Sequence, residues 1–197
     1  MPRTLSVVAV SGSLHAPSKT TVLVRAIQQA VAREFEGAFD VDLHLIELSV
    51  VGREFAGALT RDELSPIAEA ELVRIEQADL LIVASPVYRA SFTGLFKHLF
   101  DFVGQYALQG KPVLLAATGG SDRHALIIEH QERPLFAFFQ ALTLPLGVYA
   151  KDSDFTGYEI SSPELEERIA KAVLAGLPLV GASLEAESDP VALVGAW

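Results

Sequence analysis

Residues Leu5 to Leu23 read LSVVAVSGSLHAPSKTTVL. The opening run, Leu5–Val10, is almost continuously apolar and short. That is the signature of a strand buried on both faces, as in a parallel sheet covered by helices on each side. A loop of small and hydroxyl residues follows, and from Ser18 the spacing turns helical, predicting a helix over Ser18–Phe35. A helix that starts just beyond such a loop aims its free N–H groups and the positive end of its dipole at whatever the loop holds. Ser11, Ser13, Ser18, Thr20 and Thr21 place five hydroxyls there. Capping one helix needs fewer than that. The arrangement suits a phosphate.

The same strand pattern recurs at Leu80–Ala84 (LLIVA) and Val113–Ala117 (VLLAA). Val41–Leu48 alternates polar and apolar residues and reads as a strand nearer an edge. Leu144–Ala150 is a weaker fifth strand, with Pro145 favouring an edge or a strand start. Helical patterns fall between the strands, at Asp62–Gln77, Thr93–Tyr106, Asp122–Leu142 and Pro163–Gly176. Strict alternation of strand and helix predicts an α/β fold with right-handed crossovers. Five strands favour a flavodoxin-like, doubly wound parallel sheet of order 2-1-3-4-5 with helices on both faces. Residues 1–183 form this domain. Residues 184–197 read as an extended tail, docked through Leu193, Val194 and Trp197.

Composition narrows the function. Half of the 197 residues are hydrophobic and the formal net charge is −10, with no cluster of Lys and Arg. This argues against a nucleic-acid partner. Cysteine is absent, which removes disulfides, thiol catalysis and cysteine metal sites. His44, His98 and His124 lie on separate elements without metal-ligand spacing, so no metal is expected. No apolar run reaches membrane-spanning length, and the apolar stretch at the N-terminus is too short for a signal peptide. The expected location is the cytoplasm.

In an open α/β sheet, ligands bind beyond the carboxyl ends of the strands, where the strand order reverses. The loop after strand 1 fails the dinucleotide fingerprint, because Gly12 stands alone. It also fails the P-loop pattern, because Ser18 replaces the second glycine at the wrong spacing. After strand 3 comes SPVYRASFTG (Ser85–Gly94), where Pro86 bends the chain away, Tyr88 offers a flat ring and Gly94 permits close approach. After strand 4 comes TGGSDRH (Thr118–His124), whose paired glycines let backbone approach a ligand. Taken singly, a plain strand-to-helix loop capped by Thr93 and a tight turn are the alternatives for these two segments. Hydroxyls at one loop, Pro-x-Tyr at the next and Gly-Gly at the third suit one ligand with a phosphate end and a flat ring end. FMN has that shape.

Three segments carry a specific resemblance: GSLHAPSKT, SPVYRASFTGLFKHLFD and LQGKPVLLAATGGSDRHAL. From about Leu5 to Asp154 the chain resembles the NAD(P)H-dependent FMN reductases, in particular those supplying reduced FMN to two-component alkanesulfonate monooxygenases. The resemblance implies that Ser11, Ser13, Ser18, Thr20 and Thr21 hold the FMN phosphate. Pro86, Val87, Tyr88 and Ser91 would border the isoalloxazine ring, and Thr118, Gly119, Gly120 and Ser121 would close its other side. His15 stands where many relatives carry Arg, and Arg89 where the wider superfamily often has Asn.

The fourth helix contains Pro134, which lacks an N–H, so the carbonyl of His130 loses its helical partner. A kink or a π-bulge is expected there. By the resemblance this helix is a tetramer interface element and His130 a flavin-proximal residue. A surface histidine beside a kinked helix is the alternative. LFAFF (Leu135–Phe139) fits burial against another subunit or the protein's own core. A dimer or tetramer is expected. Lys97 and Asp101 read as a structural i,i+4 pair.

The expected chemistry is hydride transfer from NAD(P)H to FMN. It uses no catalytic side chain of its own, because the flavin does the hard step and the protein positions the rings. The expected partner is a flavin-dependent monooxygenase of sulfonate or organosulfur utilisation. Two other readings remain open: a quinone, azo or chromate reductase that retains its FMN, and a flavodoxin-type electron carrier without NAD(P)H activity. Nothing in the sequence chooses between NADH and NADPH.

Overall fold

The structure is a computed structural model and describes residues 4–188. Four strands build its centre: β1 (Thr4–Ser11), β2 (Asp40–Glu47), β3 (Leu80–Pro86) and β4 (Pro112–Gly119). They pair in parallel, β1 between β2 and β3, and β4 outside β3. The continuously apolar strands β1, β3 and β4 are buried along almost their whole length, whereas alternating β2 lies at the edge with mixed burial. Successive side chains of a strand point to opposite faces. Val8 and Val10 therefore enter one core and Val7 and Ala9 the other, which is why one short apolar run serves two helical layers.

The order 2-1-3-4-5 matches expectation, with one difference. The fifth strand is split into β5 (Leu142–Thr143), beside the start of β4, and β6 (Val148–Lys151), beside its end. Pro145 has no N–H for a ladder bond, and the break falls on Pro145–Gly147. Gly147 fits there because a β-carbon would lie 2.7 Å from Ile128 Cγ2.

Helix α1 (Lys19–Phe35) starts as expected, with Ser18 Oγ accepting from the Thr21 N–H at 3.3 Å. The α2 helix (Leu48–Phe55) was not expected. Its inward residues Leu48, Gly52 and Phe55 have helical spacing, but Val50 and Val51 disguise it as strand. Helix α3 (Pro66–Gln77) begins later than Asp62, because Ser65 caps it and Pro66 opens it. Helix α4 (Gly94–Asp101) is capped by Thr93 and stops before Tyr106.

The helix expected over Asp122–Leu142 is three pieces. A 3₁₀ turn at Asp122–His124 leads to a π-helix at Ile128–Glu132, and α5 (Arg133–Phe138) follows. The Arg133 N–H bonds to Ile128 O, five residues back, immediately before Pro134. The expected bulge is present. Helix α6 (Pro163–Ser188) runs past Gly176 and through Pro178. Gly176 is a packing residue rather than a stop, since a β-carbon would meet Leu144 Cδ1 at 2.5 Å. The helix also crosses the expected tail boundary at residue 184, while Leu193, Val194 and Trp197 lie outside the described residues. A small hairpin, β7 (Phe155–Thr156) and β8 (Glu159–Ile160), precedes α6 and was not foreseen. Among the described residues no helix is long and apolar enough to cross a membrane.

LFAFF divides between core and surface. Phe136 is buried, with its ring edge-on to Phe100 at 4.9 Å, whereas Phe138 is 62% exposed. Truncating Phe136 to Ala should cost about 3–5 kcal/mol of stability. Phe138→Ala should change a dilute sample by about 0.5 kcal/mol or less. Urea midpoints of the two variants check the assignment.

Candidate functional site

The strands β1, β3 and β4 end along one rim, and a set of hydrogen bonds joins the loops beyond them. The Gly12 N–H donates to Ala84 O at 2.7 Å and draws the first loop against β3. Side chains are excluded there, because a β-carbon on Gly12 would lie 2.8 Å from Phe96 Cδ2. Thr93 Oγ donates to Gly12 O at 2.9 Å, while its N–H donates to Ser85 Oγ at 3.0 Å. The Val87 N–H donates to Thr118 O at 2.8 Å, tying the second loop to the third. The hydroxyls of Thr20 and Thr118 meet at 2.6 Å, which closes the ring between the third loop and α1. Ser85, Thr93 and Thr20 are all buried, so these bonds are sheltered from water.

Beside these loops opens a cavity of about 370 Å³. Of the residues singled out from the sequence, Ser13, Ser18, Thr20, Pro86, Val87, Thr118, Gly119 and Gly120 line it. Gly119 has a clear reason to be glycine. Tyr149 passes beneath it, and a β-carbon would sit 2.2 Å from the Tyr149 hydroxyl oxygen. That hydroxyl donates to Ser121 O at 2.6 Å and so positions the Gly-Gly loop.

Six expected site residues are not part of the lining. Ser11 and Thr21 bond to each other at 2.8 Å beneath the loop, joining the end of β1 to α1. Ser121 contributes its carbonyl to Tyr149 instead. Tyr88 and Ser91 exchange backbone hydrogen bonds around a tight turn whose central residues, Arg89 (φ 51°) and Ala90 (φ 69°), are both left-handed. Such backbone costs about 1–2 kcal/mol per residue. The turn holds Tyr88 half-exposed at the rim, and Ser91 Oγ reaches Gln131 at 3.3 Å. His130 lies with Arg123, His124 and Gln131 on a separate hollow of about 190 Å³. His44 and His98 are satisfied structurally, by Glu71 at 2.7 Å and by Phe55 O at 3.0 Å. Lys97 pairs with Asp101 as expected. Among the described residues there is no metal-binding cluster.

The far wall was not foreseen. Lys151, Asp152, Phe155 and Tyr158 come from the end of β6 and the hairpin, and Lys19 comes from α1. Lys19 Nζ meets Asp152 Oδ1 at 2.9 Å and lies 5.6 Å from the centre of the Phe155 ring. Lys151 Nζ meets Asp122 Oδ2 at 2.9 Å, and its N–H donates to Asp154 Oδ2 at the same distance. Burial first, then Asp122, Asp152 and Asp154, push the Tyr149 hydroxyl above its usual pKa. The available signal was FTGYEI. A glycine opens a two-residue turn between β-formers, and Gly157 has φ 62°.

One ionisable group was missed outright. Glu132, in the π-helix, is fully buried, and neither carboxyl oxygen has a hydrogen-bond partner among the described residues. Burial drives its pKa well above the ordinary carboxylate range, and the nearby Ser85 backbone offsets only part of this. The folded protein therefore keeps a proton that the unfolded chain releases. Stability from this group is full below the unfolded pKa of about 4.3 and is lost as pH rises. Glu132→Gln should accordingly be the more stable protein at neutral pH, with its advantage shrinking toward pH 4. Thermal melts of both proteins from acid to neutral pH check the sign.

Comparison with known proteins identifies the family. Residues 5–156 match the family described as NADPH-dependent FMN reductase. The NADH-dependent FMN reductase SfnF of Pseudomonas fluorescens (strain Pf0-1) is 54% identical over 94% of this chain and 97% of its own. An FMN reductase (NADPH) of Pseudomonas aeruginosa is 48% identical over the same shares. The crystal structure of an oxidoreductase from Corynebacterium diphtheriae superposes with a TM-score of 0.74 at 33% identity, covering 92% of this chain and 98% of that one. The chain is an FMN reductase of flavodoxin-like fold and belongs to the NADPH-dependent FMN reductase family.

Proposed function

We propose that this chain reduces free FMN with NADH and releases the product to a flavin-dependent monooxygenase of organosulfur utilisation. The cavity beside the three loops carries the reading. Hydroxyls of Ser13, Ser18 and Thr20 gather at the start of α1, whose first turn has no acidic residue. An anion fits that end, since free N–H groups and the helix dipole both favour negative charge. Pro86, Val87, Gly119 and Gly120 line the same cavity, and the two glycines let backbone approach a ligand. A flat ring fits there.

In this assignment Ser13, Ser18 and Thr20 hold the FMN phosphate. Ser11 and Thr21 support them from below. Pro86 and Val87 border the ring on one side, with Tyr88 and Ser91 shaping the turn beside it. Thr118, Gly119 and Gly120 border the other side, and Ser121 fixes their loop through Tyr149. Bound FMN supplies a ring that accepts a hydride from the nicotinamide. The protein orients the two rings and excludes water, and no side chain needs to act as a general base. NADH is favoured as donor by the 54% identity to an enzyme named NADH-dependent. The motif resemblance to reductases that serve monooxygenases favours that partner. Self-association through the π-helix and α5, with His130 near the contact, fits the exposure of Phe138.

Steady-state NADH and NADPH oxidation, with excess FMN as the acceptor, tests the reading. Rapid turnover with FMN and NADH is expected. Turnover only when a quinone is added would instead indicate a reductase that retains its flavin. Ser13→Ala should weaken FMN binding about tenfold, as expected for loss of one hydrogen bond to a charged group. Affinity for riboflavin, which lacks the phosphate, should be unchanged.

A further inference from the structure

Lys19 is the first residue of α1, where the helix dipole disfavours a cation. Its ammonium is held by Asp152, with Nζ 2.9 Å from Oδ1 and 3.4 Å from the backbone carbonyl of the same residue. Both side chains line the cavity that contains Ser13, Ser18 and Thr20. The other carboxylate oxygen of Asp152 faces the Gly-Gly loop, 3.8 Å from where a β-carbon on Gly120 would sit. A carboxylate thus stands across the same opening as the phosphate-binding hydroxyls. Lys151 does not relieve it, being bound to Asp122.

We infer that Asp152 is a counter-charge that lowers the affinity for the FMN phosphate and thereby speeds exchange of the flavin. The inference rests on the FMN site proposed above. Before the phosphate arrives, Asp152 supplies the anion that Lys19 needs. Once it arrives, one ammonium faces two anions and the anions repel each other. Asp152 is a positioning residue that acts through Lys19 and through charge, without touching the flavin ring. A reductase that hands on its product gains from this arrangement, because a seat built only of donors would hold the reduced flavin too long. The effect is modest, since the Asp152 side chain is 65% exposed and solvent screens it.

Calorimetric titration of FMN and of riboflavin into the wild type, Asp152→Asn, Lys19→Met and the double variant provides the test. The asparagine keeps the shape of Asp152 and loses only the charge. It should tighten FMN binding about fivefold at low salt, the size of one screened charge contact. The gain should fade at about 0.5 M salt, leave riboflavin unchanged and shrink in the Lys19→Met background. Stopped-flow release of FMN should slow by a similar factor. An unchanged or weaker FMN affinity in Asp152→Asn overturns the inference, as does an equal gain for riboflavin. Failure of the wild type to take up FMN at all would instead sink the site assignment, and this inference with it.

Discussion

The place where β1 stops against β3 governs everything at the rim. Their parallel register pairs Ser11 with Ala84, and the Gly12 N–H carries the pairing one step beyond the strand by donating to Ala84 O. From that point the chain is committed. Gly12 packs under Phe96 with no room for a β-carbon, its carbonyl accepts from Thr93, and Thr93 caps α4. One backbone position therefore sets the first loop, the second loop and a helix start together. The Thr20–Thr118 contact then ties the third loop to α1. A cavity bounded this way is preorganised, so the ordering of its walls is done during folding rather than during binding.

Charge acts against this framework in a restrained way. The protein carries a formal net charge of −10, yet its candidate anion seat contains two lysines. Both are already bound to carboxylates on neighbouring loops, so the seat is close to neutral rather than strongly positive. Hydroxyls, amides and a helix start are left to favour an anion. In the proposed assignment these groups, rather than a net positive charge, would hold the phosphate.

Much of this was legible in the sequence, for physical reasons. The apolar runs of β1, β3 and β4 read as strands buried on both faces, because they are too short for a buried helix and, in β1 and β3, rich in β-branched residues. Pro134 pointed to a kink or a π-bulge, since its missing N–H leaves the carbonyl four residues back without its helical partner, although α6 runs through Pro178 as one helix. What escaped notice depends on contacts across the chain. Ser11 and Thr21 look identical to Ser13 and Thr20 in the sequence. Only the crossing of β1 and α1 shows that the first two face each other. Gly176 resembled a helix stop, and the facing Leu144 side chain makes it a packing contact instead. The hairpin wall was missed because its strands are two residues each, too short to carry a period.

The broken fifth strand has an effect on how copies of this chain can meet. A long, regular outer strand offers unpaired amides and carbonyls as a template for a neighbouring chain. Here one border of the sheet is interrupted at Pro145–Gly147 into stubs of two and four residues. The opposite border, β2, carries Asp40, Asp42, His44 and Glu47. Neither side invites ribbon-like growth, which leaves helix faces as the surfaces through which orderly self-assembly can proceed and protects the sheet from runaway stacking.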